Sequence, residues 1–173
     1  MNREQYIDVY FESLFENVSL TDAQETDART KYNSVIKKLT QKYYESDSID
    51  NRFQLFGSYG KRTHLRPARD VDVQFILPYS QLERVNNWQG NKQSRFLQEI
   101  KDCLLERFPR TTIRSDEKVV VVNFADSTHD VEVLPSFKIS DTFYYIPDTK
   151  KGGNWCPVPR KAPHLEPGLS RVW

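Results

Sequence analysis

Residues 57–77 read GSYGKRTHLRPARDVDVQFIL, and the alternation at their end is the most informative pattern in the chain. Val71, Val73 and Phe75 recur every second residue, so a strand here turns them to one side and Asp70 and Asp72 to the other. Two carboxylates heading a strand with a buried face are costly unless a cation compensates them. Mg²⁺ suits such a pair, because it prefers oxygen ligands and shares them with water and substrate phosphates; Mn²⁺ is the alternative. The Gly57-Ser58 step precedes a short helical stretch that ends near Thr63. Glycine there allows close backbone approach, and backbone N–H groups with the Ser58 hydroxyl suit phosphate oxygens. Lys61, Arg62, Arg66 and Arg69 add positive charge.

A second acidic strand follows in HDVEVLPSF, residues 129–137, where Asp130 and Glu132 again lie two apart and share a face. If it pairs beside the first, three or four carboxylates converge, enough for two metal ions about 3.5–4 Å apart. One ion would orient a triphosphate, and the other would activate a hydroxyl, with a carboxylate of the second strand as ligand and general base. Spacing alone leaves Glu132 and Asp130 both open as that third ligand.

Upstream, Tyr6, Val9, Tyr10, Ser13 and Leu14 fall at helical spacing. Thr21 and Gln24 are placed as a capping box for a second helix that carries Tyr32, Val35, Ile36, Leu39 and Tyr43 on one face. RFQLF (52–56) reads as a strand, and residues 94–108 return to helical spacing until Pro109. TTIR, KVVVVNF, HDVEVLPSF and TFYYIP are further strands. Because these strands follow one another directly, the pattern predicts an α/β (α+β) fold, a mixed or largely antiparallel sheet backed by helices. Residues 1–150 are expected to form the core, and 151–173, rich in Pro and Gly, a tail.

At 173 residues the chain has the size of one domain. Its formal net charge of +1 argues against a general nucleic-acid coat, which needs a strong basic excess, so no stable nucleic-acid partner is expected. No apolar run approaches the ~18 residues of a membrane span, and the N-terminal residues carry charges where a signal peptide has its apolar segment. A cytoplasmic protein is expected. Cys103 and Cys156 are expected as free thiols, and His64, His129 and His164 lack metal-ligand spacing. Tyr59 and Trp155 carry flat faces that suit either base stacking or core packing.

Gly57-Ser58-Tyr59, Thr63, Arg66-Pro67 and Asp70-Val71-Asp72-Val73 together resemble the bacterial cGAS/DncV-like nucleotidyltransferases (SMODS domains) of the DNA polymerase β-like superfamily. The later EVLPSF and GGNW stretches are similar to the same group. The resemblance covers about residues 17–155. It implies a polymerase β-like core with a nucleoside triphosphate held over Gly57, Ser58, Tyr59, Thr63 and Arg66. It also implies metal ligation by Asp70, Asp72 and the acid before Leu-Pro, which by position is Glu132, although most relatives have Asp there. The reaction implied is hydroxyl attack on an α-phosphate, giving a cyclic di- or oligonucleotide messenger in antiphage signalling, with accessory regulatory proteins as partners. The resemblance implies a further helical half in relatives, most of which is expected to be lacking from these 173 residues, so two other readings stay open: a nucleotide-binding module that needs a second chain, and a small nucleotidyltransferase that modifies protein or tRNA.

Overall fold

The computed structural model describes residues 3–61, 70–125 and 129–160. Two helices come first, α1 (Arg3–Val18) and α2 (Asp22–Tyr44). The Thr21 hydroxyl accepts from the Gln24 N–H at 3.2 Å, and Gln24 Oε1 accepts from the Thr21 N–H at 3.0 Å, so the expected capping box is formed. Then follow β1 (Phe53–Leu55), α3 (Gly57–Lys61), β2 (Asp70–Leu77), α4 (Tyr79–Asn86), α5 (Lys92–Arg107), β3 (Thr112–Asp116), β4 (Val119–Asn123), β5 (Asp130–Lys138), β6 (Phe143–Asp148) and β7 (Asn154–Pro159). Helix α4 is absent from the sequence reading. It starts at Pro78 with no side-chain cap and runs for only eight residues, so its signal is weak.

Among the described residues seven strands form one sheet, ordered β1-β2-β5-β4-β3, with β6 on β5 and β7 on β6. Only β2 and β5 run parallel; the other pairs are antiparallel. This is the mixed, largely antiparallel sheet that the strand succession predicts.

The strands read as two-faced because they are. Val71, Val73, Phe75 and Leu77 of β2, with Val131, Val133 and Phe137 of β5, are buried against Val35, Ile36 and Leu39 of α2 and Phe96, Ile100 and Leu104 of α5. Tyr43 is buried here too and donates to Glu99 at 2.8 Å; Arg84 of α4 grips the same carboxylate through two hydrogen bonds of 2.8 and 2.9 Å. Burial opposes the charge on Glu99, but the hydrogen bonds from Arg84 and Tyr43 outweigh it and hold the carboxyl below its ordinary range. Helix α1 is different: Ile7, Val9, Tyr10, Phe11 and Leu14 stay 41–62% exposed.

The segment after Lys150, expected as a tail, instead folds as far as Pro159. β7 extends the sheet along β6, and residues 161–173 lie outside the described residues. The Trp155 ring stands edge-on to Phe137 (5.3 Å) and Phe96 (6.2 Å), while its Nε1 donates to Asn86 at 2.8 Å. Trp155 is therefore a packing residue here. Gly153 lets this strand close on α5: its φ is +94°, and an added Cβ would lie 2.5 Å from Oδ1 of Asn91, the residue that caps α5 at Ser94.

Gly153→Ala should therefore cost more than Gly152→Ala, where φ is +88° but a Cβ meets open space. Backbone strain of about 1 kcal/mol is common to both. The collision at Gly153 should add at least about 1 kcal/mol more, read as a larger drop in the urea unfolding midpoint.

Candidate functional site

The parallel β2–β5 pair builds the site. Its register sets Asp70 beside Asp130 and Asp72 beside Glu132, so both acidic pairs lie in neighbouring rows of one sheet face. This is the face away from α2 and α5, because the intervening Val71, Val73, Val131 and Val133 point into the core. The floor around Glu132 is apolar: Val121 lies directly across on β4 and Leu134 two residues along β5, both buried.

Such a floor is a poor solvent for charge. Burial raises the Asp72 carboxyl above its ordinary range, and the neighbouring Asp70 charge adds to the rise. Burial also raises Glu132, with Asp72, then Asp70, adding repulsion, and the Arg114 guanidinium on β3 working against them. Asp130 differs in having a partner, because Asn123 Nδ2 donates to its Oδ2.

Gly57 closes the site from the β1 side. Its φ is +59°, and an added Cβ would fall onto the Asp72 carboxylate, 2.8 Å from Cγ. The Phe56 N–H donates to the Asp72 carbonyl at 3.1 Å, locking this turn to β2. The N–H groups of Gly57 and Ser58 precede the first intrahelical bond of α3, which runs from Gly60 to Phe56. The missing Cβ of Gly57 is what lets this turn touch Asp72.

Tyr59 lies on the inner side of α3. Its ring stands edge-on to His129 at 6.1 Å, and burial, with the charges of Glu25 and Asp27, pushes its hydroxyl up to about 12. His129 is fully buried, with Nδ1 3.5 Å from the Asp27 carboxylate. Of the expected phosphate-side residues, Thr63 and Arg66 lie outside the described residues. Cys103 and Cys156 are free thiols, as expected. Sequence reasoning missed Arg114, whose only signal is its position in TTIR; its place opposite the acids depends on pairings across three strands.

The donor set fits a hard divalent cation. It consists of carboxylate oxygens alone, with the Asp72 and Glu132 carboxyls pushed up by burial first and by mutual repulsion second, and the space over Asp72 is kept clear by a glycine. Among the described residues no three acids, histidines or cysteines stand close enough to hold an ion as they are. Repulsion among uncompensated carboxylates favours this separation. No helix among the described residues is long and apolar enough to cross a membrane.

The family profile described as the Second Messenger Oligonucleotide or Dinucleotide Synthetase domain, SMODS, matches residues 6–160. The cyclic GMP-AMP synthase CdnE03 of Staphylococcus schleiferi is 27% identical over a match 106 residues long that covers 54% of this chain and 33% of that protein. Among solved structures, Escherichia coli MS115-1 CdnC with ATP matches with a TM-score of 0.55 at 22% identity, covering 82% of this chain and 44% of that one. The Bradyrhizobium diazoefficiens CD-NTase CdnG in complex with GTP matches with a TM-score of 0.55 at 16% identity, covering 82% and 40%. This chain therefore spans about a third of the curated relative and under half of these structures, and it shares their polymerase β-like nucleotidyltransferase fold.

The raised carboxyls predict a pH dependence. A raised folded-state pKa means that the folded chain binds these protons more tightly than the unfolded chain. Stability from Asp72 and Glu132 is thus complete below the ordinary carboxylate range and is lost as pH rises through their folded values. In metal-free buffer, Asp72→Asn should raise the unfolding temperature at pH 7 and leave it nearly unchanged near pH 3. Each kcal/mol corresponds to about 2–4 °C for a chain of this size. Mg²⁺ should raise it for the natural sequence and have little effect on Asp72→Asn, as thermal melts would show.

Proposed function

Because the chain belongs to the SMODS family, we propose that it carries the catalytic face of a Mg²⁺-dependent nucleotidyltransferase, one that joins nucleoside triphosphates into a cyclic di- or oligonucleotide messenger. The observation that carries this reading is the alignment of Asp70 and Asp72 beside Asp130 and Glu132, under a glycine that only its lack of a Cβ keeps clear of Asp72. Antiphage signalling is the biological setting we propose for the product, on the family resemblance.

Asp70, Asp72 and Glu132 would hold the metal. Glu132 is preferred to Asp130 because it lies directly beside Asp72, whereas Asp130 is already engaged by Asn123. Bound there, Mg²⁺ supplies charge neutralisation for the triphosphate and a lowered pKa for the attacking hydroxyl. The chain's own groups do the rest. Gly57 and Ser58 receive phosphate oxygens through backbone N–H groups and the Ser58 hydroxyl, fixing the α-phosphate above β2. Glu132, raised above the ordinary carboxylate range, is suited to accept the proton of the attacking hydroxyl. The new P–O bond forms as the bond between the α- and β-phosphates breaks, and pyrophosphate leaves. A second such cycle closes the ring.

A second reading, in which the chain binds nucleotide but needs another polypeptide for turnover, is favoured by the uncovered apolar residues of α1. Nucleotide binding that is Asp72-dependent but produces no pyrophosphate would support it.

With mixed nucleoside triphosphates and Mg²⁺, the full chain should release pyrophosphate and form a phosphatase-resistant product, and Asp70→Asn or Asp72→Asn should abolish both. Unchanged release by Asp72→Asn would sink the proposal. Glu132→Gln should cost at least about a hundredfold in rate and Asp130→Asn much less; the reverse order would transfer the third-ligand role to Asp130. Gly57→Ala should also lose about a hundredfold or more, since its methyl displaces Asp72.

A further inference from the structure

The sheet face that carries the acids continues past them onto β4 and β3. The row through Asp72 and Glu132 runs on to Val121 and then to Arg114. Directly opposed residues in a sheet share a face, so Arg114 stands on the same face as the carboxylates. It lies two strands beyond Glu132, about 10 Å away at roughly 4.8 Å per strand. Gly57 and α3 lie on the other side, beyond β2. Glu132 thus has the Gly57-Ser58 turn on one flank and a guanidinium on the other.

Two features distinguish Arg114 from an ordinary surface arginine. It makes no hydrogen bond or ion pair among the described residues, although the acids share its row. The residue between it and Glu132, Val121, is apolar and buried, so the ground between them is dry. Thr112 is the next residue of β3 on this face, and Asn123, opposite Thr112, already donates to Asp130. Arg114, Thr112 and Asn123 thus place donors on the part of the face beyond Glu132. Asp116 lies at the opposite end of β3, so an anion at Arg114 is favoured on the Thr112 side.

We propose that Arg114, with the Thr112 hydroxyl, forms a second anion subsite, which takes a phosphate group of the nucleotide that supplies the attacking hydroxyl. This rests on the nucleotidyltransferase reading, and it assigns the two flanks of Glu132 to two substrates. The donor triphosphate lies over Gly57 and Ser58. The acceptor reaches Glu132 from the β3 side, held by its own phosphate while its hydroxyl faces the carboxylate. Guanidinium suits that task, because its planar fork meets phosphate oxygens in pairs. Arg114 contacts the acceptor away from the reacting atoms and fixes its register.

The test is nucleotide binding without turnover. The full chain with Mg²⁺ is titrated calorimetrically with each of the four α,β-methylene nucleoside triphosphates, and then with the matching nucleoside after the first site is filled. The expected result is two nucleotide sites, of which Arg114→Gln weakens one by about tenfold or more and leaves the other unchanged. Arg114→Lys should retain part of that affinity, and binding of the phosphate-free nucleoside should not respond to Arg114→Gln. A single nucleotide site in the natural sequence, no effect of Arg114→Gln, or equal weakening of both sites would each overturn the assignment. If Asp72→Asn leaves all nucleotide binding intact, the nucleotidyltransferase reading itself fails, visibly apart from any effect of Arg114, and this subsite falls with it.

Discussion

Everything about the site depends on β2 and β5 lying side by side and parallel. That pairing sets Asp70 against Asp130 and Asp72 against Glu132, and directly opposed like charges in a sheet are unfavourable by up to about 1 kcal/mol per pair. The reverse faces of the same two strands explain how the arrangement survives. Val71, Val73, Phe75, Val131, Val133 and Phe137 are fully buried there, and each such side chain contributes about 1.5–3 kcal/mol on leaving water. Burial on one face outweighs repulsion on the other, and period-two geometry prevents the strands from having one without the other.

A parallel pair also requires the chain to cross over between its two members. Here the crossover holds α4, α5, β3 and β4. Helix α5 lays Phe96, Ile100 and Leu104 over the apolar face, while β3 and β4 extend the opposite face beside Glu132. One connection thus supplies the lid of the core and the floor next to the acids. The β6–β7 extension is held to that connection: Asn91 caps α5 and also donates to the Thr149 carbonyl at 2.8 Å, and Gly153 leaves room for the contact. The GGNW stretch is in this light a packing feature, acting on the helix behind the site.

The alternation in VDVQFIL and HDVEVLPSF was legible because a half-buried strand prints its two faces on the sequence. The capping box at Thr21 was legible because it is local. Pairing is not local, so the register that matches Asp72 with Glu132 and Arg114 with Val121 could be suspected from the acids but not read. The β7 strand was missed for a different reason. Pro157 and Pro159 argue against a strand in general, yet β7 lies at the sheet's edge, where a residue without an N–H is tolerated. Gly57 was legible as a turn residue, but its closeness to Asp72 arises only when β1 folds back on β2. Helix α1 carried a helical pattern and formed a helix, and its apolar residues still remain exposed; periodicity reports a shape and says nothing of what covers it.

The charge distribution gives the face a direction. With a net charge of only +1, the chain has no general field to draw in a triphosphate, and acids on a dry floor would repel one. Anionic substrates can be held on such a surface only where a local cation or an array of N–H donors offsets the carboxylates. The described residues supply such donors at two places, the Gly57-Ser58 turn beyond β2 and Arg114 with Thr112 on β3. Glu132 lies between them, on the strand that the acids of β2 repel most directly. The sheet order β1-β2-β5-β4-β3 is therefore also an electrostatic order, donor–acid–acid–apolar–donor, in which two anions can approach one carboxylate from opposite sides without passing each other.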